Sequence, residues 1–312
     1  ESVAWLKEQG RSVIYDAEHF FDGYRENPEF AMATLRAAAA AGADNISLCE
    51  TNGGMLPFDV EEITRVVVAE LGIPVGIHCH NDSGCGVANS LAAVRAGATL
   101  VQGTINGFGE RCGNANLCTI VPDLARKMKL DVLPTPAHLE RLTDVSRIIS
   151  ELANLPHDPA QPWVGANAFA HKAGVHVNAV QKNPRTYEHD TPESVGNRRQ
   201  ILISDYSGKS SVIAKAREFN LDLEDRELPG QVVELVKRLE NEGFQFEGAD
   251  ASFELLIRQA MGQFKSCFEL KGFRIITHKI ENNASVNEAT IKVVVDGVEE
   301  MAVAEGDGPV NA

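Results

Sequence analysis

The chain lacks most of the features that place a protein quickly. Its six cysteines (Cys49, Cys79, Cys85, Cys112, Cys118, Cys267) include no C-x-x-C pair. A 312-residue chain has no need of a disulfide framework, so reduced thiols in a cytoplasmic setting are expected. No apolar run is long enough for a bilayer, and the first residues do not have the layout of a secretory signal. Positive charge is scarce: 29 Lys and Arg against 44 Asp and Glu leave a formal net charge of -15, which disfavours nucleic acid or an anionic membrane as partner. No G-x-G-x-x-G turn follows an early strand, which disfavours a doubly wound dinucleotide fold. "SGKSS" at 207–211 has neither the upstream glycine nor the preceding strand of a phosphate loop and is read as a helix start. The chain begins at Glu1 and ends in "EGDGPVNA", and a fragment of a longer protein is expected.

What is present is a repeated unit. Over the first 125 residues a short apolar run, a polar or glycine-rich turn and a helix with an apolar stripe recur, with runs "SVIYDAE", "NISLCET", "PVGIHCH" and "TLVQGTIN". Asn27 is placed to cap a helix with Pro28 at its first position, and Asp59 with Glu62 has capping-box spacing. Four βα units with polar residues at the carboxyl ends of their strands predict half of a (β/α)8 barrel, whose active site lies at that end. Residues 126–155 read as helical, followed by a Pro-rich connector, a loop-rich stretch to about Arg199, and helices at "KSSVIAKAREFN" and "LPGQVVELVKRLENEG". From Ala251 a helix and two alternating stretches, "FELKGFRIITHKI" and "ATIKVVVDGVEEMAV", predict the start of an α+β domain. The expected division is 1–135 barrel half, 136–250 helical and loop-rich linker, 251–312 truncated regulatory or dimerisation domain.

The chemistry concentrates in "GIHCHNDSGCG". Alternate residues of a strand share a face, so His78 and His80 point together and Cys79 points away. Two such imidazoles can hold one divalent metal, or they can be two hydrogen-bonded histidines at a strand end. Asn81, Asp82 and the other polar strand ends favour the metal. In "GTINGFGERCGN", Glu110, Arg111 and Asn114 are candidate ligands or ligand-orienting groups. Glu18 and Thr51 end the two earlier strands and face the same mouth.

Three segments, "HCHNDSGCGVANSLAAVRAGA", "GTINGFGERCGNANL" and "FAHKAGVHVNAVQKNPRTYEH", resemble the 2-isopropylmalate synthase, homocitrate synthase and citramalate synthase family over essentially the whole chain. "YDAEHFFDGY", "CETNGGMLP" and "VGNRRQILISDYSGKSS" are most similar to the branch that joins acetyl-CoA to pyruvate. The resemblance implies a TIM barrel and a Claisen condensation giving (R)-citramalate and CoA, a step toward isoleucine. It implies His78 and His80 as ligands of a divalent metal (Mg2+, Mn2+ or Zn2+), with Asn114 beside it. Thr51 would bind the keto-acid carboxylate, Glu18 would position and polarise the reactants, and His176 would be an acid-base group with Tyr187 at its side. In the family these last two reach the partner subunit's site, which implies a homodimer, and the terminal domain implies an isoleucine effector.

One departure is clear. The family's "TLRDG"-like motif, with a metal-binding Asp and an enolate-stabilising Arg, does not occur in this sequence, so this polypeptide alone is expected to be nearly inactive. The alternatives are a 2-isopropylmalate or homocitrate synthase, a metal-dependent acyl-CoA lyase, or a non-catalytic amino-acid sensor.

Overall fold

The computed structural model describes residues 1–203, 207–223, 227–279 and 285–312. The chain divides into two compact units, Glu1–Ile201 and Leu202–Ala312. Ser204, Asp205 and Tyr206 of the quoted "VGNRRQILISDYSGKSS" segment, and Ile280 at the end of the first alternating stretch, lie outside the described residues.

The first unit opens with α1 (Ser2–Glu8), then β1 (Ile14–Ala17), α2 (Phe20–Glu26), α3 (Pro28–Ala40), β2 (Asn45–Glu50), α4 (Pro57–Leu71), β3 (Val75–Cys79), α5 (Gly86–Arg95) and β4 (Leu100–Gln102). The four strands pair in parallel in sequence order. β2, with sheet neighbours on both sides, is buried at all six positions, as expected of an inner strand of a parallel sheet. Met32, Leu35 and Ala38 of α3 and Val60, Thr64 and Val67 of α4 are the buried stripes that pack this layer. Asn27 caps α3 as the sequence predicts, its Oδ1 accepting from Phe30 N–H at 3.0 Å. The capping box at Asp59 does not form. α4 begins three residues earlier at Pro57, behind an uncapped Leu56, because proline at a helix start fixes φ without forfeiting a needed donor. Asp59 instead faces Arg25 at 3.2 Å.

The sheet is curved, which one contact demonstrates. Across four flat strands β1 and β4 would stand about 14 Å apart, too far for two short side chains. Yet Gln102 Nε2 on β4 donates to Asp16 Oδ1 on β1 at 2.9 Å. Asp16 is in register with Ser47, Cys49 with His78, and His78 with Gln102, so all of these residues line the concave face. Glu50 and Cys79, in register with each other, point the opposite way and are buried. Among the described residues the sheet has four strands and does not close into a barrel.

The predicted helix over 126–155 is broken. α6 (Leu117–Pro122) runs into a π-helical turn at Asp123–Lys127, and after a non-helical stretch a 3-10 turn, Pro136–Arg141, leads into α7 (Leu142–Leu152). Lys129 leaves the helix at φ 60°, and Pro134 and Pro136 disfavour helical geometry in the residue before each. The loop-rich part contains β5 (Ala170–His171), α8 (Gly174–Lys182) and β6 (Gln200–Ile201), with β5 and β6 parallel.

Asp190 ties this segment to the end of the π turn. Arg126 donates to its two oxygens from Nη2 at 2.6 Å and Nε at 3.2 Å, and Lys127 adds a third contact. Burial pushes the Asp190 carboxyl up, but the Arg126 and Thr191 N–H donors outweigh it and bring the pKa from 3.8 to about 2. A depressed folded-state value gives stability that is complete above pH ~4 and lost as pH falls toward 2. Asp190→Asn is therefore expected to cost about 1–2 kcal/mol in urea unfolding at pH 6 and almost nothing at pH 2, the figure being discounted for the half-exposed Arg126.

The second unit holds α9 (Lys209–Glu218), α10 (Leu228–Asn241) and α11 (Asp250–Ala260), then β7 (Glu269–Lys279), β8 (Ser285–Val295) and β9 (Val298–Gly306). "SGKSS" is a helix start, as read: α9 begins at Lys209. The helices share a core of Val212, Val232, Val236, Phe253 and Ile257. The strands form an antiparallel meander. The second alternating stretch is two strands, not one, joined at Asp296–Gly297 with φ of 50° and 83°, the left-handed pair that a tight hairpin turn requires.

Candidate functional site

His78 is the last inward-facing residue of β3, and His80 follows one step beyond, its backbone bridged to Asn114. The two imidazole centroids are 5.4 Å apart. His78 Nδ1 lies 2.9 Å from Gln102 Oε1. Because the Gln102 amide nitrogen is already donating to Asp16, its oxygen faces His78, and Nδ1 must be the protonated nitrogen. That leaves the Nε2 lone pair free, the tautomer a metal ligand needs.

His80 and Asn114 carry the other decisive observation. His80 Nδ1 and Asn114 Oδ1 are both buried without a hydrogen-bond partner among the described residues. Buried polar atoms are rarely left so, and the two belong to bridged residues. Asn114 Nδ2 donates weakly to Phe108 O at 3.3 Å, so only the oxygen end of the amide is left without a partner. The donors therefore fit a divalent cation: two imidazoles and a carboxamide oxygen. No group of three His, Cys, Asp or Glu side chains able to hold a metal occurs among the described residues, so the set is short of a carboxylate.

Thr51 sits in the loop after β2. Its Oγ1 accepts from His19 N–H at 2.9 Å, which leaves the hydroxyl proton to donate. Glu18, in the turn after β1, is exposed; burial first, and then the charges of Asp16 and Glu18, push the Cys49 thiol up to about 12. Arg111 contacts Asp82 and the Thr51 carbonyl. The exposed Glu110 makes no side-chain bond among the described residues.

His176 and Tyr187 form a second group. Their rings stack at 4.2 Å, and both are exposed. Neither shares a hydrogen bond or ring contact with His78, His80 or Asn114 within the described residues. Beside them, Glu188 is 2% exposed and holds His171 Nε2 at 3.1 Å and Arg199 Nη2 at 2.6 Å. Burial pushes the Glu188 carboxyl up, and the Arg199 and His171 donors more than offset this and hold it below the usual range.

Sequence reasoning missed Gln102, Asp16 and Glu188. Gln102 could have been found, because it is the inward residue of the strand after the histidines. Asp16 could not, because it reaches Gln102 only through sheet curvature.

Comparison with known proteins gives a match in three segments. Residues 1–149 match the HMGL-like family, 163–243 the homocitrate synthase post-HMGL domain, and 247–312 the LeuA allosteric (dimerisation) domain. The whole chain is 52% identical to the (R)-citramalate synthase of Geobacter sulfurreducens, covering 59% of it. It is 52% identical to that of Synechocystis sp., again over the whole chain and 59% of the relative. Over its whole length the chain is similar to members of the citramalate synthase and 2-isopropylmalate synthase family. A more distant member, the probable 2-isopropylmalate synthase of Methanopyrus kandleri, is 34% identical over the whole chain and 60% of its own length. The family assigns the curved sheet to an α/β, TIM-barrel-type HMGL-like domain and the meander to a dimerisation domain. The chain spans about three fifths of the length of these family members. No described helix is long and apolar enough to cross a membrane.

Proposed function

We propose that the full-length protein is a citramalate synthase: it condenses acetyl-CoA with pyruvate to (R)-citramalate and CoA, on the way to isoleucine in the cytoplasm. The observation that carries this reading is the pair of buried, unpartnered donors His80 Nδ1 and Asn114 Oδ1 beside a His78 whose tautomer is fixed for ligation. Two relatives named (R)-citramalate synthase, each 52% identical, support the choice of this activity.

His78, His80 and Asn114 would hold Mg2+, Mn2+ or Zn2+. Bound there, such a cation polarises a ketone and stabilises negative charge developing on its oxygen. Thr51 donates its hydroxyl proton to the keto-acid carboxylate. Glu18 positions and polarises the reactants at the mouth. His176, with Tyr187 against its ring, moves the proton as acid-base group, delivered to the site of a second copy in a homodimer, a reading the LeuA allosteric (dimerisation) domain match supports. Isoleucine would act through the terminal domain. The four-stranded curved sheet would be half of an eight-stranded barrel, with the chain divided functionally near residues 135 and 250.

The test is CoA release by the full-length protein with pyruvate, 2-ketoisovalerate or 2-ketoglutarate, with and without a chelator. Chelator-sensitive turnover is expected with pyruvate at least about tenfold above the bulkier acids, since one or two methylenes discriminate by that order. Preference for a bulkier acid would reassign the enzyme to a sibling activity, and turnover untouched by chelator would remove the metal.

A further inference from the structure

Three loops meet at the mouth: 51–54 after β2, 81–84 after β3 and 110–113 after β4. Arg111 bridges all three. Its Nε donates to Asp82 Oδ1 at 2.7 Å and its Nη2 to Asp82 Oδ2 at 3.0 Å, while Nη2 also donates to the Thr51 carbonyl at 2.7 Å. We propose that Arg111, through Asp82, is a positioning residue that clamps these loops into one rim and sets the Thr51 hydroxyl where the keto-acid carboxylate binds. The proposal rests on the preceding reading of Thr51.

Four further observations point the same way. Arg111 adopts φ 56°, a left-handed conformation that costs energy for a residue with a side chain and persists where the surroundings impose it. Gly53, at φ 68°, lies so close to the next loop that a Cβ there would stand 2.3 Å from Asp82 Oδ2; only glycine permits the approach. Backbone bonds run between the same loops, Ser83 N–H to Gly53 O at 2.8 Å and Asn81 N–H to Gly113 O at 3.0 Å. Glu50 ties down the far end of the first loop by accepting from Gly54 and Met55 N–H. The chemistry requires arginine: a planar fork grips a carboxylate with two donors and keeps one for a carbonyl, which an ammonium cannot do in a fixed geometry.

The clamp links the metal set to the substrate group. Asp82 follows His80 by two residues, and Thr51 follows the strand paired with β3. Loosening Arg111 would free Thr51 and the turn after His80 together.

The test compares full-length parent, Arg111→Lys, Arg111→Ala and Gly53→Ala by amide hydrogen exchange of the Ser83 and His19 N–H groups and by steady-state kinetics. Each variant is expected to speed both amides about tenfold or more and to raise KM for pyruvate to a similar degree. KM for acetyl-CoA should stay within about twofold, because misplacement of a positioning group by an ångström has effects of this order on the group it positions. Lysine should rescue little. Gly53→Ala breaks the rim without touching charge, so agreement between it and the arginine variants separates a clamp from a lost electrostatic field. Unchanged exchange at both amides overturns the clamp, and faster exchange with unchanged pyruvate KM overturns its role in substrate positioning. Exchange requires no turnover, so a parent that ignores pyruvate but loses amide protection in the variants would overturn the reading of Thr51 and leave the clamp standing.

Discussion

Replacing His78 and His80 together by alanine in the full-length protein should abolish Mn2+ binding in a calorimetric titration, and Gln102→Ala should weaken it about 10- to 100-fold. The unequal sizes follow from the geometry. The double variant removes both imidazoles from a set whose remaining member is one carboxamide oxygen. Gln102→Ala leaves both rings in place and removes only the acceptor that holds the Nδ1 proton of His78; the ring can then turn, and its free nitrogen is no longer fixed. Asp16→Ala should act in the same direction and more weakly, since it orients Gln102 rather than His78. Mn2+ binding that is indifferent to the two histidines would mean that the orphaned His80 Nδ1 and Asn114 Oδ1 answer to a water molecule instead of a cation, and the proposed chemistry would lose its centre.

The histidine pair was legible because a strand has a period of two and the pair stands at the end of an apolar run, so both its shared face and its place at the strand end follow from local rules. Asn114 was found through the glycine-rich loop around it. What stayed hidden depends on how the sheet bends. Nothing in "YDAE" or "LVQG" announces that Asp16 and Gln102, 86 positions apart, will touch, because that contact is set by curvature accumulated over four strands. Arg111 was noticed as a charge near the site, but its left-handed backbone and its grip on Asp82 belong to the tertiary structure. The helix misread over 126–155 had the opposite cause: apolar spacing outweighed Pro134 and Pro136, which a stricter reading of the residue before proline would have heeded. The three-residue shift at α4 comes from the same residue type, with Pro57 opening the helix where Asp59 was expected to cap it.

Arg199→Met should destabilise the protein by about 3–5 kcal/mol, and Glu188→Gln by only about 1–2 kcal/mol, although both cut the same contact. The asymmetry lies in what each leaves behind. Arg199 is 35% exposed and Glu188 2%. Without Glu188, the guanidinium can swing toward water and the neutral amide still offers His171 an acceptor. Without Arg199, a carboxylate stays buried with His171 as its remaining side-chain partner, and burial, no longer offset, pushes its pKa up. The sign of the pH dependence follows. In the parent Glu188 lies below its ordinary value, so its contribution is complete at neutral pH and is lost as pH falls through the acid range. In Arg199→Met the shift reverses: the folded state takes up a proton more readily than the unfolded chain, and the variant recovers stability over the same fall in pH. The two urea-unfolding curves should therefore differ most near pH 7 and converge near pH 4. A difference that stays constant with pH would mean that Arg199 contributes by packing its aliphatic stem and not by holding the Glu188 charge.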